Sequence, residues 1–251
     1  MCIRDREKGY DITFLGRHVG KSELSYSEHS KYRGVDGVIV ACVDFEAEEV
    51  KELLQSGIPV VTIDYIFNDK ACVMSDNIRG MEQLVSYIIQ CGHKKIAYIH
   101  GADSFVTRSR IGSFLRTMKR YGIETEDRYI REGIYHAPDV SAKITHELLS
   151  LEDRPTCIVY PDDFSCIGGI NVIRSKGLSI PNDISVAGYD GQRIAHVIEP
   201  KITTYRQNTE QIGKVAAAKL VELIEQPELA LVERLDVQGE LIRGCSVLSM
   251  K

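Results

Sequence analysis

Short apolar runs and amphipathic stretches take turns along almost the whole chain, and no other feature restricts its fold as tightly. The runs "YDITFLG", "VDGVIVACV", "IPVVTID", "KIAYIHG", "EGIY", "TCIVY" and "ISVAGY" are strand-sized and rich in Val, Ile and Tyr, with "RLDV" and "ELIRG" as short strands near the end. Between them apolar residues recur at helical spacing. Val50, Leu53 and Leu54 share a face in "DFEAEEVKELLQSG", with Asp44 as the expected cap. Ile78, Met81, Leu84, Val85 and Ile88 form a stripe in "SDNIRGMEQLVSYIIQCG", and Ile111, Phe114, Leu115 and Met118 one in "RIGSFLRTMKRYG". "VSAKITHELLSL", "SCIGGINVIRSKG" and "TEQIGKVAAAKLVELIEQ" read as further helices. Strict strand–helix alternation favours parallel sheets with helices on both faces, and such sheets hold ligands beyond the carboxyl ends of their strands. The expected fold class is therefore α/β, with the two halves of the pattern as two lobes.

At 251 residues, 43% of them hydrophobic, the chain is long enough for one large or two intertwined cores. Its net charge of −5 is spread with Lys and Arg scattered, which gives no electrostatic footprint for nucleic acid within this segment. Seven cysteines, Cys2, Cys42, Cys72, Cys91, Cys157, Cys166 and Cys245, lie far apart and form no CxxC pair, so they read as reduced thiols of a cytosolic protein. Neither an export signal nor a membrane-length apolar run is visible.

One stretch imitates a phosphate site. "GRHVGKS", Gly16 to Ser22, ends like a P-loop after a predicted strand, but only three residues separate its glycines where the motif needs four. The following "ELSYSEHSKYRG" is polar without an apolar stripe and is expected to be a solvated connection. The histidines, His18, His29, His93, His100, His136, His146 and His196, fall at no metal-ligand spacing, and no nucleophile elbow occurs. Neither a metal nor another cofactor is expected.

Polar groups do gather at predicted strand ends: Asp64 after "VVTI", Asp76 and Asn77 before their helix, Asp162 and Asp163 after "CIVYP", and Asp190 after "ISVAGY". Carboxylates accept from pairs of hydroxyls, a guanidinium such as that of Arg110 donates in a planar fork, and a ring such as that of Tyr135 covers the apolar side of a pyranose. Together they suit a sugar. Each also has a plainer reading: Asp76 and Asp163 as helix N-caps, Asp64 as a turn residue, Arg110 as a solvated helix charge.

Taken in order, "DNIRGMEQLVSYIIQCGHKKIAYIHG", "SRIGSF", "RPTCIVYPDDFSCIGGINVIRSKGLSIPNDISVAGYDG" and "PKITTYRQNTEQIGKVAAAKLVELIE" resemble the effector-binding core of LacI/GalR-type transcriptional regulators. The likeness covers about residues 7–249. It implies a periplasmic-binding-protein-like fold of two lobes joined by three crossovers, one of about residues 7–101 plus 209–236, the other of about 103–207 plus 238–249, with a small-molecule effector in the cleft. Carried over by position, Arg110 of "RIGSF" matches the effector-binding arginine of the family's RxxGF, with Ser113 in place of glycine. Asp190 matches the cleft aspartate of GFDD or GYDD, and Gln207 of "TYRQ" a cleft residue near a crossover. Tyr135 stands where the family often places a stacking aromatic, and Asp76 is carried over from the opposite lobe. Asp162 falls where the family usually has asparagine, which exchanges a donor–acceptor amide for a pure acceptor.

Regulators of this type begin with a helix-turn-helix headpiece, a hinge helix and the first strand and helix of the core. None of these matches the present chain, in which "EKGYDITFLG" resembles the end of that first helix and the second strand. The resemblance thus implies either a truncated frame, or a misread start in which residues 1–6 are not native. It also implies an N-terminal sheet in which "DITFLG" and "VDGVIV" lack their shared neighbour, and so a poorly stable lobe. The implied protein is a cytoplasmic, homodimeric, non-enzymatic and sugar-responsive regulator, a repressor, that meets operator DNA only through a headpiece not in this chain. A sugar-binding protein of a transport system is the alternative, with a carboxylate-based glycosidase or an NTPase as the enzymatic ones.

Overall fold

The computed structural model describes residues 9–16, 18–19 and 22–250. The backbone divides into two compact units: residues up to Ser75 with Asn208–Val237, and Asp76–Gln207 with the residues from Gln238 on.

In the first unit, strands β3 (Val38–Val40), β4 (Val60–Ile63), β5 (Ala71–Ser75) and β11 (Arg234–Val237) form a parallel sheet in the order β11-β5-β4-β3. Helix α8 (Thr209–Glu225) lays Ile212 and Ala216 on Val61, Ala71, Val73 and Val237. Helix α2 (Glu48–Gln55) sets Val50, Leu53 and Leu54 against Val40 and Val60. Gly37 lets the chain pass under α8, since a Cβ there would meet Leu220 Cδ1 at 2.8 Å.

Three expectations are corrected in this unit, and the weak P-loop likeness gains no support. "DITFLG" forms no strand: residues 10–16 carry no regular structure and Phe14 is 85% exposed. Among the described residues β3 pairs only with β4, and no strand pairs with its other edge. Asp44 caps no helix: α2 begins after Ala47, and the Asp44 carboxylate accepts instead from Glu46 N–H at 3.0 Å in the preceding turn. The P-loop look-alike leads into a paired β1 (His18–Val19) and β2 (Ser22–Glu23), not a helix N-terminus; Arg17, Gly20 and Lys21 lie outside the described residues, as do Met1–Arg6. The polar segment after it is helix α1 (Tyr26–Arg33), not a bare connection. A reciprocal capping box of Ser25 and Glu28 starts it, and Gly34 in the left-handed conformation ends it.

The second unit is built on six strands, β6 (Ile96–His100), β7 (Ile130–Glu132), β8 (Cys157–Val159), β9 (Ser185–Asp190), β10 (Thr203–Arg206) and β12 (Glu240–Ile242), in the order β12-β10-β9-β8-β6-β7. All neighbours are parallel except β10 and β12. Alternate strand residues part to opposite faces, as the two-residue period of a strand requires. Ile96, Tyr98, Cys157 and Val159 pack with Met81, Leu84, Val85 and Ile88 of α3 (Asn77–Gln90) and with Phe114 and Met118 of α4 (Phe105–Arg120). Ala97, Ile99 and Ile158 pack with Ile144 and Leu148 of α5 (Pro138–Leu149) and with Cys166, Ile170 and Ile173 of α6 (Asp163–Ser175). A short α7 (Arg193–Val197), which the apolar pattern did not signal, follows β9.

The expected lobe boundary at residues 101 to 103 is corrected to Ser75–Asp76, because "KIAYIHG" pairs as β6 with β7 and β8 and takes α3 with it. "EGIY" is likewise not a strand: β7 stops at Glu132, and Tyr135 sits in the loop beyond it. Among the described residues no helix is long and apolar enough to cross a membrane.

Candidate functional site

Five parallel strands of the second unit end at one edge of its sheet, and the residues just past those ends carry the candidate chemistry. Arg110 reaches them from the second turn of α4, a helix that begins at Ser104, whose hydroxyl accepts from Thr107 N–H at 3.1 Å. The side chain is only 3% exposed. Nε donates to Asn77 Oδ1 at 2.8 Å and Nη1 to the Pro161 carbonyl at 3.3 Å. The guanidinium lies over the Tyr189 ring, 3.7 Å from its centroid, with Tyr135 at 5.8 Å, and Nη2 stands 3.8 Å from Asp190 Oδ1. A planar cation held between rings, with its donors directed by fixed acceptors, is preorganised in a way a lysine would not be.

Asp190 is the last residue of β9 and adopts a φ of +94°, which turns the chain sharply into Gly191. Gln207, just past β10, donates through Nε2 to Asp190 Oδ1 at 2.5 Å and through its backbone N–H to the Asp190 carbonyl at 3.2 Å. Burial pushes the Asp190 carboxyl above its usual range, while Arg110 and Gln207 pull it back. Tyr135 leans its ring on Gly101, where a Cβ would come within 2.0 Å of it, and its hydroxyl shares a hydrogen bond with Thr107 at 2.9 Å.

Arg110, Asp190, Gln207 and Tyr135 are thus brought together. Asp162 lies beneath them, fully buried and occupied: Oδ1 accepts from Ser165 N–H at 2.8 Å as the N-cap of α6, and Oδ2 accepts from the Ser165 hydroxyl at 2.8 Å and His136 N–H at 2.9 Å. The cap of α6 is therefore Asp162 and not Asp163. Asp76 caps α3 through Arg79 N–H at 3.0 Å and opens the second unit, so it does not come from the opposite lobe; its neighbour Asn77 is the residue that meets Arg110. The roles of Asn77, Tyr189 and His136 at this edge went unassigned in the sequence. Asn77 and Tyr189 sit inside motifs already singled out. His136 has no sequence signal: it matters because its left-handed backbone, φ +56°, is held by Asp162. Among the described residues no group of His, Cys, Asp and Glu is arranged to hold a metal ion.

A mostly parallel sheet with helices on both faces, carrying an Arg–Asp–Gln cluster and an aromatic wall at its carboxyl edge, defines a small-molecule binding domain, and residues 85–247 match the family described as periplasmic binding protein-like domain. The HTH-type transcriptional repressor PurR of Vibrio vulnificus is 33% identical over 233 residues, covering 90% of this chain and 68% of that protein. The solved transcriptional regulator CelR–cellobiose complex has a TM-score of 0.77 at 26% identity, covering 88% of this chain and 71% of that one. A LacI family transcriptional regulator from Enterococcus faecium with bound ribose has a TM-score of 0.80 at 25% identity, covering 91% and 85%. The chain belongs to the LacI family of transcriptional regulators and corresponds to its effector-binding core.

Proposed function

We propose that the second unit binds a neutral polyhydroxyl effector, a sugar, and that the chain is the sensing core of a cytoplasmic transcriptional repressor. The observation that carries this reading is the buried Arg110 guanidinium, stacked on Tyr189 and set 3.8 Å from the Asp190 carboxylate, beside the ring of Tyr135. Asp190 accepts from adjacent ring hydroxyls, Arg110 and Gln207 fix their orientation, and Tyr135 covers the apolar face. Asp162 positions the His136 loop and the start of α6 without meeting the effector itself.

Neutral ligands are favoured because the Arg110 cation already faces the Asp190 carboxylate, so an added phosphate or carboxylate would bring its charge against that carboxylate. The cellobiose and ribose seen in the two related regulators support a sugar here. Sensing would be read out at operator DNA through a helix-turn-helix segment of the kind the relatives' names describe, with a homodimer presenting two such segments to a two-fold site. Binding without turnover is the expected behaviour.

Calorimetric titration with monosaccharides, disaccharides and sugar phosphates tests the reading. One neutral sugar is expected to bind saturably, unaltered by the protein, with affinity lost in Asp190→Ala. Preference for a phosphorylated sugar, or turnover, would refute it. Gly101→Ala offers a second check, since its methyl must displace the Tyr135 ring. A loss of about 1–3 kcal/mol of sugar affinity is expected, with the cluster of Arg110 and Asp190 intact. Unchanged affinity in that variant would remove Tyr135 from the site.

A further inference from the structure

Asp163, the first residue of α6, is fully buried, and its carboxyl faces the sheet edge. Oδ2 accepts from Gln192 N–H at 2.7 Å. Oδ1 occupies space that exists only because residue 188 is glycine: a Cβ there would stand 2.1 Å away. Oδ1 itself meets no hydrogen-bond donor at bonding distance. The Thr204 hydroxyl, which favours the charged form of Asp163, accepts from Gly191 N–H at 3.2 Å. The two amides that follow Asp190 are therefore both held from beneath, one by Asp163 and one by Thr204, and between them they fix the turn that aims Asp190.

The ionisable groups that act on Asp163 are Asp190 from β9, Asp162 next to it and the Cys166 thiol one turn along α6, all anionic when ionised. The Arg110 guanidinium bears on Asp190, and the His136 ring lies near Asp162 and Asp190. Burial, the largest influence, pushes Asp163 up to about 7. Covering the edge with a neutral ligand would lower the effective dielectric around Asp190, and its stronger repulsion of Asp163 would be relieved by a proton on Asp163.

We propose that Asp163 is a positioning residue for the effector site, a carboxyl that never meets the effector, holds the Asp190 turn through Gln192 and takes up a proton when the effector binds. The proposal rests on the functional reading above for its second half only. Nuclear magnetic resonance of the full chain, following the Gly191 and Gln192 amides from about pH 5 to pH 9, tests the first half. Both amides are expected to shift together with a midpoint near neutrality, and Asp163→Asn, which keeps an acceptor for Gln192, to abolish the shift. The wild-type titration needs no variant, so a poorly folding Asp163→Asn leaves it decisive: a Gln192 amide that does not move overturns the proposal. Calorimetry with ribose and with cellobiose at pH 6 and pH 8, in buffers of different ionisation enthalpy, tests the second half. The sugar that binds is expected to do so about threefold more tightly at pH 6, with proton uptake, and equally at both pH values in Asp163→Asn. Equal wild-type affinities without proton uptake would overturn that half. Failure of both sugars to bind would count against the functional reading and the uptake with it, while the amide titration still decides the positioning role.

Discussion

Arg110→Met is expected to destabilise the second unit by about 3 kcal/mol and to abolish effector binding. Methionine fills much of the space of the arginine stem, so the loss is one of charge and directed donors more than of volume. The variant leaves the Asp190 carboxylate without its cation and removes the donors that Arg110 gives to Asn77 and to the Pro161 carbonyl. Breaking a buried pair from one side costs about 3–5 kcal/mol, and the lower end applies because Asp190 keeps an 18% exposed side chain and stands 3.8 Å from the guanidinium. With Arg110 gone, Asp190 loses the strongest influence opposing its burial and takes a proton more readily. Arg110→Lys separates charge from shape: it keeps a cation but loses the fork and the stack on Tyr189, and is expected to fall between wild type and Arg110→Met. Urea unfolding followed by circular dichroism measures the stability, and equal midpoints for wild type and Arg110→Met would show that the cluster is not held by this residue.

The second large effect concerns pH. The Asp163 carboxyl lies at about 7 in the fold against an ordinary value of 3.8, so the folded state binds a proton that the unfolded chain has released between those values. A group whose pKa is raised by folding stabilises fully below its unfolded value and loses that contribution as pH rises through its folded one. Wild type is therefore expected to lose about 4 kcal/mol relative to Asp163→Asn between pH 4 and pH 7, with little further change above it. Exposed carboxylates such as Asp153 and Asp183, held low by Lys95 and by Ser179, act in the opposite sense but equally in both proteins, so the difference isolates Asp163. Unfolding midpoints at pH 4 and pH 7 for both proteins measure it, and parallel pH profiles would contradict it.

Most of the architecture is written in local patterns. Ile96, Tyr98, Ala97 and Ile99 announce a strand buried on both faces, and Met81, Leu84, Val85 and Ile88 a helix with one apolar stripe; the structure uses both as written. Helix α1 escaped the apolar pattern because it buries Ser27, His29 and Ser30, with His29 bonded to the Gly16 carbonyl, and no apolar stripe is needed for that. Its capping box was nevertheless visible in Ser25 and Glu28. The boundary between units was misplaced because nothing in "DNIRG" or "KIAYIHG" states which sheet a strand will join; that is decided by the pairing of β6 with β7 and β8.

In the site, Asp190 was marked by its type and its place at a strand end, while Gln207 and the roles of Arg110 and Tyr135 came from the resemblance; the structure brings the four side chains together. The buried duties of Asp162 were not, since one carboxylate accepts from Ser165, next to it in sequence, and from His136, which only the fold brings near. Asp163 and Gly188 are likewise a pair made by close approach: the carboxyl fits because a glycine lies opposite on a neighbouring strand.

The central claim is that the effector sits on the carboxyl edge of the second sheet. It is tested most directly by mapping amide shifts on a uniformly labelled chain as the sugar identified by calorimetry is added. Shifts concentrated at Asn77, Arg110, Tyr135–His136, Asp190–Gln192 and Gln207 are the predicted result. Shifts that leave these residues unmoved and gather instead around Lys219 and Glu233 of the first unit, beside a cavity of about 190 Å³, would contradict it.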